Sequence, residues 1–170
     1  MLIRITILFL TVLSANSQVQ KVGYSGKEDY TVLFYSVKGI DTVKIPGSWE
    51  RDKRDLATAV YLTGPANQIG FYIDTKSKKY KSAATESEAL KLFVSDKIKK
   101  IKRAWDVELL GTDNETYQLY KIKSPRHPDA NQVALLGSRG KYTYNIVCYG
   151  AMDDNLKSEF LISLFTKTTP

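Results

Sequence analysis

The sequence predicts an α+β fold, in which an antiparallel sheet of about seven or eight strands packs with helices in an α/β/α sandwich. Three observations lead to this class. Residues 85–105 have the apolar period of a helix, and runs with the period-two alternation of strands lie on both sides of them. A second stretch of helical period follows the last strands, at residues 153–165. Hairpin-connected strands interrupted by helices are typical of antiparallel sheets covered by helices.

The central stretch, residues 85–105, is predicted to be an amphipathic helix. Thr85 and Glu88 have the spacing of a capping box, which fixes the start of a helix. Acidic residues lie near its start and basic residues near its end, as the helix dipole favours. Ordering so long a segment costs about 1–2 kcal/mol per residue, so the helix needs a sheet to pack on. Its apolar residues share one face: Leu90, Phe93, Val94, Ile98, Ile101 and Trp105.

Strands are predicted from alternation and from β-branched and aromatic residues. Turns rich in Gly, Pro, Asn and Asp join them as hairpins. The last helix begins at an acidic cap, Asp153 or Asp154. Trp49 and Trp105 are both expected to be buried. The predicted strands are residues 30–37, 42–45, 57–63, 69–74, 106–111, 116–123, 132–138 and 141–149.

The N-terminus has the features of a secretory signal peptide. Arg4 precedes an apolar run, and the small residues Ala15 and Ser17 stand at the −3 and −1 positions of a cut before Gln18. The run is too short for a transmembrane helix, which needs about 20 residues. We therefore expect a secreted or periplasmic protein with no transmembrane span in the mature chain. Its expected parts are a signal peptide at residues 1–17, a flexible leader at 18–29 and a single domain at 30–170.

Cys148 is the only cysteine, so no disulfide can form within the chain. It lies in an alternating apolar run without a neighbouring base. This context indicates a small buried hydrophobic residue rather than a reactive thiol.

Six segments, taken in order, resemble the PsbP-like group: VKIPGSWE, ATAVYLTGP, ESEALKLFVSDKIKKI, ELLGTDNETYQLYKIK, KYTYNIVCYGA and EFLISLF. The resemblance covers about residues 30–165. This group includes the extrinsic photosystem II subunit and a nuclear import factor that binds the Ran GTPase. The resemblance implies an α/β/α sandwich and a non-enzymatic binding or accessory protein, and exported bacterial members of unknown role are common in the group. No functional residue carries over, because none matches residue by residue.

Residues of catalytic types do not form a recognisable signature. The chain contains no complete phosphate-binding loop and no G-x-S-x-G motif. Its one histidine, His127, excludes a multi-histidine metal site. We predict no catalytic residues, no metal site and no cofactor. The alternatives are a hydrolase or other enzyme with a site near His127, Asp129 and Asp52, or a protein that neutralises a toxic partner.

Positive charge is the main surface feature of the sequence, which has a formal net charge of +7. Lysines also precede the central helix, at Lys76, Lys78, Lys79 and Lys81. Such a cluster is either a solvated helix face or a patch that binds an acidic protein, a phospholipid surface or a polyanion. Nucleic acid is not expected, because no recognition motif is present. The predicted partner-binding residues are Lys97, Lys99, Lys100, Lys102 and Arg103.

The eleven tyrosines are a further candidate for binding, since their rings can stack on bases or sugars. Most of them stand in predicted strands. This position indicates core or sheet surface instead.

Overall fold

A computed structural model describes residues 19–35, 42–52, 59–111, 114–126 and 131–168. The predicted signal peptide lies outside these residues. The helices are α1 (Lys78–Lys81), α2 (Glu86–Ile101) and α3 (Asp154–Lys167). The strands are β1 (Val19–Ser25), β2 (Tyr30–Tyr35), β3 (Thr42–Pro46), β4 (Glu50–Arg51), β5 (Val60–Thr63), β6 (Asn67–Thr75), β7 (Asp106–Leu109), β8 (Tyr117–Lys123), β9 (Gln132–Arg139) and β10 (Tyr142–Gly150).

The strands form two antiparallel sheets, which confirms the predicted α+β class. The large sheet has seven strands in the order β4-β5-β6-β10-β9-β8-β7, and the small sheet has the order β1-β2-β3. We expected the N-terminal strands to join the same sheet. They form a separate sheet instead, in which β2 pairs with β1 on one side and with β3 on the other.

The leader predicted at residues 18–29 is wrong for Val19–Ser25, which forms β1. This strand pairs antiparallel with β2, with Lys21 opposite Phe34 and Ser25 opposite Tyr30. Val22 packs against the core, while Tyr24 donates a hydrogen bond to Asp29 at 2.8 Å. The segment has few apolar residues, so its strand is held by backbone pairing, which composition does not reveal.

One face of the large sheet carries the main core. Helix α3 and the small sheet both pack here, through Leu161, Leu164 and Phe165 of the helix. Asp153 caps α3 by accepting from the backbone N–H groups of Asn155 and Leu156 at 3.0 and 2.9 Å, as predicted. The main sheet and small sheet contribute fully buried residues to this core: Leu33, Ile45, Leu62, Ile69, Ile73, Val133, Leu135, Tyr142, Tyr144, Ile146 and Cys148.

The opposite face of the large sheet is covered in part by α2. The hydroxyl of Thr85 accepts from the N–H of Glu88 at 3.2 Å, and the Glu88 carboxylate accepts from the N–H of Ala84 at 2.9 Å. The predicted capping box therefore forms, with its return bond one residue earlier than expected. The helix ends at Ile101, four residues before Trp105. Its buried residues Leu90, Phe93 and Val94 pack on the sheet residues Tyr120, Ile122, Ala134, Leu136 and Val147.

Trp49 joins the small sheet to the rest of the fold. Its indole N–H donates to the carbonyl of Pro46 at 2.7 Å, and its backbone N–H donates to the buried hydroxyl of Thr31 at 2.9 Å. The turn from Pro46 to Trp49 needs a glycine at residue 47, because the φ of Gly47 is +86°, which other residues rarely adopt. The ring is buried and stacks on Phe160 of α3, with centroids 5.9 Å apart. The predicted burial is confirmed for Trp49 but not for Trp105, which is only half-buried on the other face.

Candidate functional site

The predicted partner-binding residues lie together at the C-terminal end of α2, which we call the basic end. Lys99, Lys100, Lys102 and Arg103 are all exposed, while Lys97 is half-buried with its ammonium 5.7 Å from the centroid of the Phe93 ring. None of the five forms an ion pair with a carboxylate in the described part of the chain. Lys100 lies close enough to Asp96 to help lower the pKa of that carboxyl, whereas Lys99, Lys102 and Arg103 leave their charge facing solvent.

Crowding these charges has an energetic cost. Lys99 lies three residues before Lys102, the C-cap of α2, so these two share one side of the helix end, and Arg103 follows in the turn beyond it. Like charges at this spacing destabilise a helix by roughly 0.2–0.5 kcal/mol per pair. One or two cations satisfy the carbonyl end of the helix dipole. The basic end therefore has more cations than the helix dipole requires.

Two of the lysines before α2, Lys79 and Lys76, pair with carboxylates and do not extend the basic end. Lys79 of α1 pairs with Asp96 at 2.7 Å, and the hydroxyl of Tyr80 donates to the same carboxylate at 2.9 Å. The hydrogen bond from Lys79, followed by that from Tyr80, lowers the pKa of Asp96. Burial and the bond to Asp96 raise the pKa of Tyr80 to about 12. These groups attach α1 to α2.

Lys76 is also occupied, because it is buried against the start of α2. Its ammonium pairs with Glu86, and the buried hydroxyl of Ser138 donates to the same carboxylate at 2.5 Å. The side chain of Lys76 is 5% exposed and that of Glu86 is 34% exposed. This cluster fixes the N-terminal end of α2 on β9.

A groove lies beside the basic end, on the part of the sheet that α2 leaves uncovered. We call it the tyrosine groove. It consists of two cavities, of about 770 and 380 Å³, that share Trp105 and Gln132 as lining residues. The first extends to the turn between β5 and β6, and the second extends under Lys100 at the basic end. Its half-buried aromatic residues are Tyr61, Tyr72, Tyr149 and Trp105.

The alternation of the strands explains why the groove is open. Residues paired across neighbouring strands form rows on this face of the sheet. One row runs from β5 to β8 through Thr63, Gln68, Tyr149, Gln132 and Ile122. The next row runs Tyr61, Gly70, Val147, Ala134 and Tyr120. Beyond Gln132, the side chains of β8 and β9 in these two rows are mainly apolar, namely Ile122, Ala134 and Tyr120, whereas those on β5, β6 and the end of β10 are polar or aromatic. Helix α2 packs on the apolar half, since burial there gains about 25 cal/mol per Å².

Two tyrosines are held firmly at one side of the groove. The rings of Tyr61 and Tyr72 meet edge to face, with centroids 5.9 Å apart and planes at 87°. Their hydroxyls are hydrogen-bonded to each other, and burial together with this bond raises the pKa of Tyr72. Gly70 forms the floor beside them, because a Cβ there would come within 3.3 Å of Tyr61 and of the Tyr149 hydroxyl.

The groove was not predicted from the sequence, although the tyrosines were noted. The available signal was the alternation in strands 57–63 and 69–74, which places Tyr61, Thr63 and Tyr72 on a single polar face. What the sequence did not indicate is that no helix covers this half of the sheet.

The sequence offered four other residues for chemistry, namely His127, Asp129, Asp52 and Cys148. His127 and Asp129 of the alternative enzyme site fall outside the described residues, while Asp52 accepts from the Thr63 hydroxyl at 3.3 Å. Cys148 is fully buried, as predicted, and burial raises the pKa of its thiol to about 11. Among the described residues, no group of three or more His, Cys, Asp or Glu is placed to hold a metal ion. No helix in the same part of the chain is long and apolar enough to cross a membrane.

Ten chains of solved structures match this chain. It is similar to one of them, cyanobacterial PsbP (CyanoP) from Synechocystis sp. PCC 6803. The two share 14% sequence identity with a TM-score of 0.36, over 91% of this chain and 94% of the cyanobacterial one. No protein-family model and no curated protein matches the sequence. The function of the chain is therefore argued from its own residues.

Proposed function

We propose that this chain is an exported, non-catalytic binding or accessory protein that docks a protein or another anionic partner through the basic end of α2. The observation that carries the proposal is a cluster of four exposed cations, none of which forms an ion pair with a carboxylate in the described ranges: Lys99, Lys100, Lys102 and Arg103. Their mutual repulsion has a cost that an anionic partner would remove. Concentrated positive charge also speeds the encounter with such a partner.

The rigidity of the basic end supports the same proposal. Helix α2 is fixed at its start by the Lys76–Glu86–Ser138 cluster and along its length by the packing of Leu90, Phe93 and Val94. The cations therefore project from a fixed helix. Fixed positions reduce the entropy lost on binding compared with a mobile loop.

Capture from the envelope and secreted fractions of the source cells tests the docking proposal. The bait is the chain from Gln18 onwards, compared with a variant in which Lys99, Lys100, Lys102 and Arg103 are changed to Glu. In a matched control, four exposed lysines that are distant in sequence from the basic end are changed to Glu: Lys21, Lys27, Lys44 and Lys167. The control changes the net charge by the same amount as the basic-end variant. A difference between the two variants therefore reflects where the cations lie and not the total charge.

We expect one partner to be retained by the natural chain and by the control, and lost by the basic-end variant. Retention should weaken as salt rises, because exposed charges are screened over about 10 Å at 0.1 M salt. Equal retention by all three baits, or no retained partner, would contradict the proposal. Circular dichroism of each bait shows whether the variant remains folded.

Export is the second part of the proposal, and the N-terminal pattern of Arg4, an apolar run, Ala15 and Ser17 supports it. N-terminal sequencing of the protein from the exported fraction should begin at Gln18. The Ala15→Leu variant should be cleaved poorly, since the −3 position requires a small residue. A cytoplasmic product that begins at Met1 would argue against export.

A further inference from the structure

The tyrosine groove has the composition of a ligand site that differs from the basic end. A quarter of the chain is charged, yet no described residue that lines the first cavity carries a charge. In the second cavity the described lining includes a single charged residue, Lys100. A ligand that fills this groove therefore interacts with neutral groups along most of its length.

The lining provides two kinds of neutral contact. The rings of Trp105 and the tyrosines present flat apolar surfaces, and Gln68, Gln132 and Asn145 present amides. An amide donates and accepts hydrogen bonds at once, as a hydroxyl does. A purely apolar ligand would offer no hydrogen bond to Gln132 or Asn145, at a cost of about 1–3 kcal/mol for each polar group buried unsatisfied. An ionic ligand would find a counter-charge only at Lys100, in the second cavity.

We propose that the tyrosine groove binds a neutral oligosaccharide. A pyranose ring has apolar C–H faces that stack on aromatic rings and a rim of hydroxyls that pair with amides. The volumes of the two cavities fall within the range of about 300–1,000 Å³ for small-molecule sites. Because the groove continues past Trp105 into the second cavity, the ligand is a chain of several rings. This proposal goes beyond the docking function and does not depend on the cations of the basic end.

Two features preorganise the groove for ligand binding. Tyr61 and Tyr72 are held in one arrangement by their mutual hydrogen bond and edge-to-face contact. Gly70, opposite Tyr61 and Val147 in the register, has no side chain to fill the floor. A ligand then loses little affinity to ordering the protein.

Calorimetry of the purified full chain with three probes tests the proposal: cellohexaose, chitohexaose and maltohexaose. We expect at least one to bind with a dissociation constant of about 10 μM to 1 mM. Binding should also shift the emission of Trp105, which lines the groove, while Trp49 is buried on the other face. No heat and no emission change with any probe at about 10 mM would overturn the proposal.

Single substitutions test whether the probe binds in the groove. Trp105→Ala should raise the dissociation constant about tenfold or more by removing a stacking surface, and Gln132→Leu should do the same by removing hydrogen bonds at similar volume. Tyr24→Ala is the matched aromatic control, since Tyr24 is 51% exposed on the small sheet. Binding that is unchanged in both groove variants would overturn the proposal. If Trp105→Ala does not fold, the Gln132→Leu result decides.

One further variant separates this site from the basic end. Reversing Lys99, Lys102 and Arg103 to Glu, with Lys100 kept, should leave the affinity for the probe unchanged. The same variant should lose the partner of the docking experiment. The two proposals therefore fail independently. A probe whose binding disappears in this variant would overturn the groove assignment.

Discussion

The ring of Phe165 lies directly on the backbone of Gly137. A Cβ atom at residue 137 would come within 2.5 Å of Phe165 Cε2. Phe165 is fully buried, and its ring meets the ring of Tyr144 edge to face with centroids 5.1 Å apart. The guanidinium of Arg139 lies 4.3 Å from the centroid of the same ring. This contact sets how closely α3 approaches β9.

We expect Gly137→Ala to destabilise the fold by about 1–3 kcal/mol, because the added methyl group overpacks the contact with Phe165. Gly23→Ala is the matched control, since no atom lies within 4 Å of the Cβ position there. The control should change stability by less than about 0.5 kcal/mol. Urea unfolding of both variants measures the difference, and equal stabilities would show that α3 can shift without cost.

The two tryptophans should report different environments. In Trp105→Phe the remaining Trp49 is 9% exposed, whereas in Trp49→Phe the remaining Trp105 is half-buried beside the groove. We expect Trp105 to emit at longer wavelength and to be quenched more strongly by acrylamide. The natural chain should give the sum of the two signals. Identical quenching of both single-tryptophan variants would contradict the placement on opposite faces.

Alkaline pH should destabilise the fold through Cys148 and Tyr144, which are both fully buried. Burial raises the pKa of Cys148 from 9.0 to about 11 and that of Tyr144 from 10.0 to about 12. Both groups hold their protons more tightly in the folded chain than in the unfolded chain. Their contribution to stability is therefore complete below pH 9.0 and is lost as pH rises through the folded pKa values.

The full loss attributable to Cys148 should amount to about 3 kcal/mol, for a shift from 9.0 to about 11. Urea unfolding across this pH range measures it. The Cys148→Ala variant should be less stable at neutral pH, because it leaves a cavity. It should nevertheless lose less stability between pH 9.0 and 10.0 than the natural chain does. An equal loss in the two proteins would show that the thiol is not responsible.

Lys76 and Glu86 should behave as a coupled pair. Glu86→Gln leaves the buried ammonium of Lys76 without its counter-charge, and we expect a loss of about 2 kcal/mol, which allows for the partial exposure of Glu86. Adding Lys76→Met removes the uncompensated charge. The double variant should therefore be more stable than Glu86→Gln alone, as measured by thermal unfolding. A double variant that loses the sum of the two single effects would show no coupling.

Much of the fold followed from local patterns. A helix was predicted over residues 85–105 from its apolar period and from Thr85, and the structure forms it over Glu86–Ile101. The cap of α3 was predicted at Asp153 or Asp154 from the apolar stripe that follows, and Asp153 forms it. The hairpins followed from alternation and turn residues. Each of these signals lies within a few neighbouring residues, so the sequence alone determines it.

The candidate site was predicted only in part. The clustering of basic residues at the end of α2 could be read from the chain, since helix position and charge are both local properties. The pairing of Lys79 with Asp96 and of Lys76 with Glu86 was not apparent, because these partners lie 17 and 10 residues apart. The lysines before the helix therefore looked like part of the patch, although these two are occupied.

Long-range pairing decided the remaining features. The sequence by itself determined the two long helices and most of the strands, the charge of the basic end and the burial of Cys148. Only the tertiary structure decided that β6 pairs with β10, that Val19–Ser25 adds a strand to a separate small sheet, and that α2 covers the apolar half of its face. Those outcomes depend on which distant strands bury their apolar sides together, and the tyrosine groove is the part of the sheet that this choice leaves open.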